Sequence, residues 1–583
     1  MKDLSNPDLS GKCPVPCLCL GKKMKLVLLV ACLALCFVCH GQSEGDFQKI
    51  DSLLSVGDHS RKPGGIIAVL KGDEVIYRKA VGLADISKNI PNSFNHKYDL
   101  ASIAKQFTGM CIALLEEQGK LSTEDLLARY YPEFQFSKGI KIKNLIDHTS
   151  GIREAYVLAT LSGKINLKGG LRKRYNTEAY LMKVLQREKD LNFEPGSELA
   201  YTNINYILLA DIVEKISKQL FHKFADSAIF KPLGMANTFY RYKQEMEIPG
   251  EAKGYLVKGK KYKPVKAVGG ILGDGKLVTT IDDLVKWERN LRRNRLGNSD
   301  QALIDKLYTS SKLTDGELTH YGYGFWINDY RGLKTISHGG DDGRFTSFIL
   351  KFPEQDVIII ALANSSLYNS TVSSTYQIAD VLLSEFFVKP KLANKQYEFI
   401  SIPKQTMESK VGIYKNINEK GLAQLRKIVM DADSLYITAG FQGKGLNLKA
   451  TKSGLFVANT RDGRQIMITF DEDATKSSFE EQIAENKPRK FVEIENLSSQ
   501  LTEFNGIYHN ETTQVRLKVR SKRKKLIASK GIIKIPMIAF GDNQFYAYEN
   551  DALFIFQRDS TGKVASLKVN ASDFRNFIFT KLK

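Results

Sequence analysis

The chain has 583 residues, 43% of them hydrophobic and 26% charged, with 44 Gly, 15 Pro and a formal net charge of +21. That length exceeds what one hydrophobic core sustains, so several domains are expected. The balanced composition excludes a disordered or collagen-like polymer.

In chain order, "KKMK" followed by "LVLLVACLALCFV" (26–38) reads as the positive and apolar parts of an export signal. "CHG" offers small residues for cleavage after Gly41, and Met24 is a second candidate start that would leave residues 1–23 outside the protein. The apolar run is short for a transmembrane helix. "LVAC" (29–32) resembles a lipoprotein cleavage box, but the apolar residues after it argue against a lipid anchor. The expectation is an exported, periplasmic or secreted protein. Six of the seven cysteines fall at 13, 17, 19, 32, 36 and 39, so trimming near residue 41 leaves Cys111, expected as a small core residue.

"GGIIAVLKGDEVIYRKAVGLAD" (64–85) carries a hairpin signal, two strand-like runs about a Lys-Gly-Asp turn. "YDLASIAKQFTGMCIALLEEQG" (98–119) places apolar residues at 103, 107, 110, 111, 114 and 115, the spacing of an amphipathic helix that stops at Gly119. Helical patterns then dominate to about residue 300. They include "NINYILLADIVEKI" from 203 and "TTIDDLVKW", which opens on a capping box at Thr280 and Asp283. Strands return at 333–338, 345–352 and 356–364, and "VSSTYQIADVLLSEFF" reads as a closing helix. Strands at both ends with helices between imply an α/β protein of the α+β type, an antiparallel sheet flanked by helices.

Beyond "KPKLANKQ" the pattern turns to short alternating strands with an internal repeat. "KVGIYKN" (410–416) answers "FNGIYHN" (504–510), "IMITFDED" answers "LFIFQRDS", and "RKFVEI" answers "RNFIFTKL". Two small all-β, barrel-like modules are expected, at 400–497 and 501–583. The basic run "RSKRKK" (520–525) reads as a solvated hairpin tip in preference to a nucleic-acid patch, because no aromatic residues interleave with it. A basic surface also suits anionic envelope polymers or lipids.

Candidate chemistry begins at Ser102 and Lys105. A primary alcohol is a poor nucleophile until a base takes its proton, and residues three apart on a helix face the same way. A helix N-terminus adds N–H groups and positive potential where an oxyanion would form. Lys acts as a base only if its pKa falls from about 10.4 towards neutrality, a cost of roughly 4 kcal/mol that burial can supply. By itself Ser-x-x-Lys is a weak signal.

Four stretches together resemble the serine β-lactamase-like superfamily of class C β-lactamases, D-alanyl-D-alanine carboxypeptidases, D-aminopeptidases and esterases. They are "ASIAKQFTG", "LIDHTSGI", "FEPGSELAYTNINYILLADIVEKI" and "ISHGGDDG", in that order over about residues 46–390. The resemblance implies a serine hydrolase working through an acyl-enzyme, with no cofactor. Ser102 would be the nucleophile, Lys105 its proton partner and Tyr201 a second general acid or base. Asn203 would orient Lys105 and the substrate, beside His338 and Gly340. The backbone N–H groups of Ser102 and Asp341 would form the oxyanion hole.

One departure bears on substrate. The lactamases have Lys-Thr-Gly where this chain has "HGG". His338 is expected to be only partly charged near neutrality and Gly339 has no hydroxyl, which counts against efficient penicillin hydrolysis. A D-amino-acid peptide, including one derived from peptidoglycan, or a carboxylic ester is the expected substrate. The alternative is a non-catalytic binder of wall fragments. "GQSEG" (41–45) matches a nucleophile elbow without the strand–turn–helix context that motif needs. His148 is expected to order its loop. The eight scattered His form no metal-ligand spacing, so neither a metal site nor a nucleic-acid partner is expected.

Overall fold

A computed structural model describes residues 43–583 except 56–59, 162–176, 244, 267–269 and 389–396. In the C-terminal region it also leaves out 417–424, 440–444, 461–464, 472–476, 484–487, 494–500, 523–524, 531–532, 542, 548–551, 572–573 and 583. The segment expected to be an export signal, its six cysteines and the middle of the basic run lie outside the described residues. The chain divides into two compact units, Met1–Gly57, which holds helix α1 (Ser43–Leu54), and Asp58–Lys583.

The second unit is built on a six-stranded antiparallel sheet. Its strands are β1 (Gly65–Lys71), β2 (Glu74–Val81), β3 (Trp326–Tyr330), β4 (Leu333–Asp341), β5 (Thr346–Phe352) and β6 (Val357–Ala363), in the order β3-β4-β5-β6-β1-β2. The join between chain ends is β1 against β6, with Ala68 opposite Ile360. Helices cover both faces. One face packs on α2 (Ala104–Glu117), whose Phe107, Met110 and Cys111 are fully buried with Ile66, Ile349 and Ile360. The other meets α7 (Tyr368–Leu382), where Tyr376 packs on Phe348 and Thr371 bonds Thr346. Coverage on both sides explains why "GIIAVLK" and "VIIIALA" are continuous apolar runs rather than alternating ones.

Between β2 and β3, after α2, come α3 (Ala155–Leu161), α4 (Glu178–Leu185), α5 (Asn203–Ser217) and α6 (Ile281–Arg292). The capping box at α6 is half formed. Thr280 accepts from the Asp283 N–H, but the Asp283 carboxylate turns to the Asn237 N–H and the Thr238 hydroxyl.

The repeat becomes two closed eight-stranded barrels. The first runs β7 (Gly412–Asn416), β8 (Leu425–Asp431), β9 (Ser434–Ala439), β10 (Leu446–Ala450), β11 (Phe456–Asn459), β12 (Gln465–Asp471), β13 (Ser478–Ile483) and β14 (Arg489–Glu493). The second runs β15 (Gly506–Asn510), β16 (Val515–Lys522), β17 (Lys525–Lys530), β18 (Ile533–Gly541), β19 (Gln544–Ala547), β20 (Ala552–Arg558), β21 (Val564–Ala571) and β22 (Phe574–Lys581). The three matching sequence pairs fall on the first, sixth and last strands of each. The repeat extends to single bonds: Tyr414 donates to the Lys410 carbonyl at 2.9 Å and Tyr508 to the Phe504 carbonyl at 2.8 Å, both four residues back and both rings fully buried.

Candidate active site

Ser102 lies in a 3-10 turn, Ala101–Ile103, that runs directly into α2. Ala101 before it is held at φ +47°, a left-handed conformation that costs a non-glycine residue energy and needs a fixing contact. The fixing contact is Asp99, whose carboxylate accepts the Ala101 N–H at 3.0 Å. The other Asp99 oxygen binds Arg344, which also pairs with Asp342 at 2.8 Å. A buried guanidinium thus ties the turn before Ser102 to the residue after Asp341.

Strand β4 reaches the same place from the other side. Its partner β3 pairs only as far as Ser337, so His338–Asp341 project beyond it. A Cβ on Gly340 would lie 2.0 Å from the Leu100 carbonyl oxygen, so only glycine lets this strand approach the nucleophile turn. The Ser347 hydroxyl on β5 donates to the same carbonyl at 2.7 Å. β4 is thereby packed against the turn that holds Ser102.

Lys105 is completely buried. Its Nζ donates to Ser102 Oγ at 3.1 Å, Asn203 Oδ1 at 2.9 Å and the Asp274 carbonyl oxygen at 2.9 Å. Three acceptors thus surround the buried amine, and hydrogen bonding satisfies it in addition to the burial anticipated from sequence. The Tyr201 ring centroid lies 5.0 Å from Nζ. Ser102, Lys105, Tyr201 and Asn203 therefore meet, although 98 residues separate Lys105 from Asn203.

His338 lies on β4 where that strand projects past β3. It is buried: Nδ1 lies 2.7 Å from the Gly339 carbonyl and Nε2 3.0 Å from the Tyr321 hydroxyl. That pattern makes Nδ1 the donor and Nε2 the acceptor from Tyr321, a neutral imidazole. Burial, with Lys105 nearby, pushes its pKa down to about 3. Partial charge near neutrality is thus excluded at this position.

His148 orders its loop. Its carbonyl accepts the Ala200 N–H at 3.0 Å and its Nδ1 the Thr202 N–H at 3.3 Å, so it holds both sides of Tyr201. Burial drives its pKa well below the ordinary range. Among the described residues no group of three or more His, Cys, Asp or Glu could hold a metal ion.

Sequence reasoning missed three participants. Glu154 is buried and accepts the Asn203 N–H at 2.6 Å, the Thr202 hydroxyl at 3.1 Å and the Tyr156 N–H at 3.1 Å. Burial raises its pKa, against the pull of those N–H groups. Asp274 supplies a main-chain carbonyl, which residue type does not reveal. Tyr321, five residues before β3, orients His338. The nearest signal for Glu154 was its position just after "HTSGI".

With this geometry in view, the chain was compared with known proteins. The Beta-lactamase family model matches residues 50–383, more than half of the chain. The chain belongs to the Beta-lactamase family. It is 27% identical over 315 residues to penicillin-binding protein 4* of Bacillus subtilis, covering 52% of this chain and 68% of that protein. It is 28% identical over 282 residues to the D-aminopeptidase of Brucella anthropi, covering 48% of this chain and 51% of that one. Against protein flp of Staphylococcus aureus the figures are 27% over 332 residues, 54% and 63%. The chain thus spans between about half and two thirds of the length of these relatives. Its fold matches the octameric penicillin-binding protein homologue from Pyrococcus abyssi, with a TM-score of 0.54 and 24% identity over 76% of this chain and all of that one. Family membership makes this a β-lactamase-fold protein of the serine hydrolase family that includes penicillin-binding and D-aminopeptidase relatives.

Proposed function

We propose that the chain is an exported serine hydrolase that cleaves a small amide or ester through an acyl-enzyme on Ser102. The observation that carries this reading is the buried Lys105 side chain, its Nζ 3.1 Å from Ser102 Oγ and held by Asn203 and the Asp274 carbonyl. In the reaction the amine form of Lys105 takes the hydroxyl proton as Ser102 Oγ attacks the substrate carbonyl. The developing oxyanion faces the N–H groups of Ser102 and Asp341. Tyr201 delivers the proton to the leaving group and serves the water that releases the acyl group.

The neutral His338 favours a D-amino-acid peptide, amide or carboxylic ester over a β-lactam, since it gives a substrate carboxylate no charge to meet and Gly339 gives no hydroxyl. The D-aminopeptidase relative points the same way. The second reading, a binder of wall fragments, is disfavoured by the mutual contact of Ser102, Lys105 and Asn203. Intact-mass measurement after incubation with a fluorophosphonate, and separately with a penicillin, tests the proposal against Ser102→Ala. A Ser102-dependent fluorophosphonate adduct is expected. A long-lived penicillin adduct would move the assignment to a wall peptidase, and the absence of any adduct on folded protein would leave the binder.

A further inference from the structure

The two barrels share one strand order, so a difference in their surface charge is not imposed by the fold. On the first three strands of barrel two, burial alternates and identifies the outward positions, and pairing with β17 extends them to β18. These are Ile507 and His509 on β15, Arg516, Lys518, Arg520 and Lys522 on β16, Lys525, Ile527 and Ser529 on β17, and Lys534, Pro536 and Ile538 on β18. No carboxylate stands among them. The registers concentrate the cations: Lys522 faces Lys525, Lys518 faces Ser529, and Ser529 in turn faces Lys534. None of the Arg516, Lys518, Arg520, Lys522, Lys525 or Lys534 side chains forms an ion pair among the described residues. The same four strands of barrel one carry three outward cations, Lys415, Lys427 and Lys449, with the carboxylate of Asp431 and the neutral Val429, Ser434 and Tyr436 among them.

Like charges on neighbouring strands oppose folding, so this face is held together at a cost that a partner would relieve. The hairpin expected at "RSKRKK" does connect two strands, but the charge lies along the length of β16 and not at the tip alone. Aliphatic residues sit within the basic frame. Ile507, opposite Lys518, is 42% exposed, Leu582 beside it is 40% exposed, and Ile578 on the adjoining β22 is 50% exposed.

We propose that this face of barrel two docks on an anionic lipid bilayer. The cations meet headgroup phosphates, and Ile507, Ile578 and Leu582 enter the interfacial region. The mixture selects that partner. A soluble polyanion is complementary to the cations but has no use for exposed aliphatic side chains, whereas a bilayer uses both.

The test is co-sedimentation of the purified chain with vesicles of phosphatidylcholine alone and of phosphatidylcholine with phosphatidylglycerol. It compares the wild type with Arg516→Glu/Lys518→Glu/Arg520→Glu, with Arg516→Gln/Lys518→Gln/Arg520→Gln, and with Ile507→Ser/Ile578→Ser. Residues 26–38 are common to all variants, so any partitioning they cause cancels in the comparison. Each cation near a charged membrane surface is worth roughly fivefold, so the glutamine variant should weaken binding to the mixed vesicles about 100-fold and the reversal more than that. The serine variant should lose binding without changing its salt dependence. Unfolding followed by circular dichroism identifies any variant that fails to fold, and the glutamine set then carries the comparison. Equal binding to phosphatidylcholine alone, or unchanged binding after charge reversal, overturns the proposal. So does tight, charge-dependent capture of inorganic polyphosphate with no vesicle binding, which would assign the face to a soluble polyanion.

Discussion

The closest approach in the site is made by backbone, and that makes Gly340 the most sensitive single position. Gly340→Ala puts a methyl group 2.0 Å from the Leu100 carbonyl oxygen, a separation no side-chain rotation relieves. Strand β4 must retreat from the nucleophile turn and take the Asp341 N–H with it. Loss of one oxyanion donor typically costs 10²–10³ in rate, so the rate of p-nitrophenyl ester turnover should fall by about 100-fold while the protein remains folded. His148 offers a test of a different kind. Burial depresses its pKa, so the unfolded chain binds a proton that the folded chain does not once the pH drops below the ordinary His value of about 6.5. Its contribution to stability is therefore complete above that value and is lost progressively as the pH falls towards the folded pKa. His148→Asn tolerates the +59° φ and keeps an acceptor near the Thr202 N–H, but does not titrate. Because the buried acids titrate alike in both proteins, the variant should gain about 2 kcal/mol relative to wild type between pH 7 and pH 5, read as the difference of urea unfolding midpoints.

Among the elements, the short segments between α3 and α5 show how barrel two reaches the site. Arg153, next to Glu154, is buried; it donates to Glu188 at 2.8 Å and to the Arg575 carbonyl at 3.2 Å, at the start of β22. The Arg575 N–H in turn donates to Asn192 at 2.6 Å, and its guanidinium pairs with Glu198 and lies over Phe193. Leu158 of α3 and Val184 of α4 join the barrel's apolar core. The β21–β22 hairpin thus buttresses the loop that presents Tyr201 and the carboxylate that holds the Asn203 N–H. Arg153→Met leaves Glu188 buried without its cation, which should cost 3–5 kcal/mol, and slackens Glu154 behind Asn203. The expected kinetic result is a lower kcat with a smaller change in KM, since Asn203 serves Lys105. Arg575→Ala keeps both backbone bonds and removes only a half-exposed pair, so it should cost about 1 kcal/mol or less. Local rules made much of this architecture legible: hairpin β1–β2, helices α2 and α5, and strands β4–β6 follow from period and turn residues. Strand β3 escaped because it is an edge strand with no buried stripe. Glu154 and Asp274 escaped because their roles depend on burial and on a backbone carbonyl brought in from far along the chain, neither of which residue type encodes. The neutral state of His338 escaped for the same reason: Tyr321 and the lid of packed rings above it are tertiary facts.

For the whole molecule the remaining question is what each barrel does for the catalytic region, and the two can be separated. Barrel one contains a buried ion pair of its own: Arg426 on β8 binds both oxygens of Glu481 on β13, at 2.6 and 2.7 Å, with its guanidinium 5.0 Å from the Phe491 ring centroid. This pair lies inside a closed wall of strands, among the aromatic residues Phe470, Phe479 and Phe491. Arg426→Met therefore strands a carboxylate in an apolar interior, and about 3–5 kcal/mol should be lost from this barrel. Among the described residues the barrel contacts of Arg153, next to Glu154, and of the loop before Tyr201 come from barrel two, so damage in barrel one is expected to leave Lys105 and Asn203 in place. The kcat/KM of Arg426→Met for the ester should stay within about twofold of wild type below its own unfolding transition, whereas Arg153→Met, of similar cost, should lose activity while still folded. If the two variants lost activity in proportion to stability alone, the barrels would be equivalent props for the fold. Activity that follows the location of the lesion would make barrel two part of the machinery that sets Asn203.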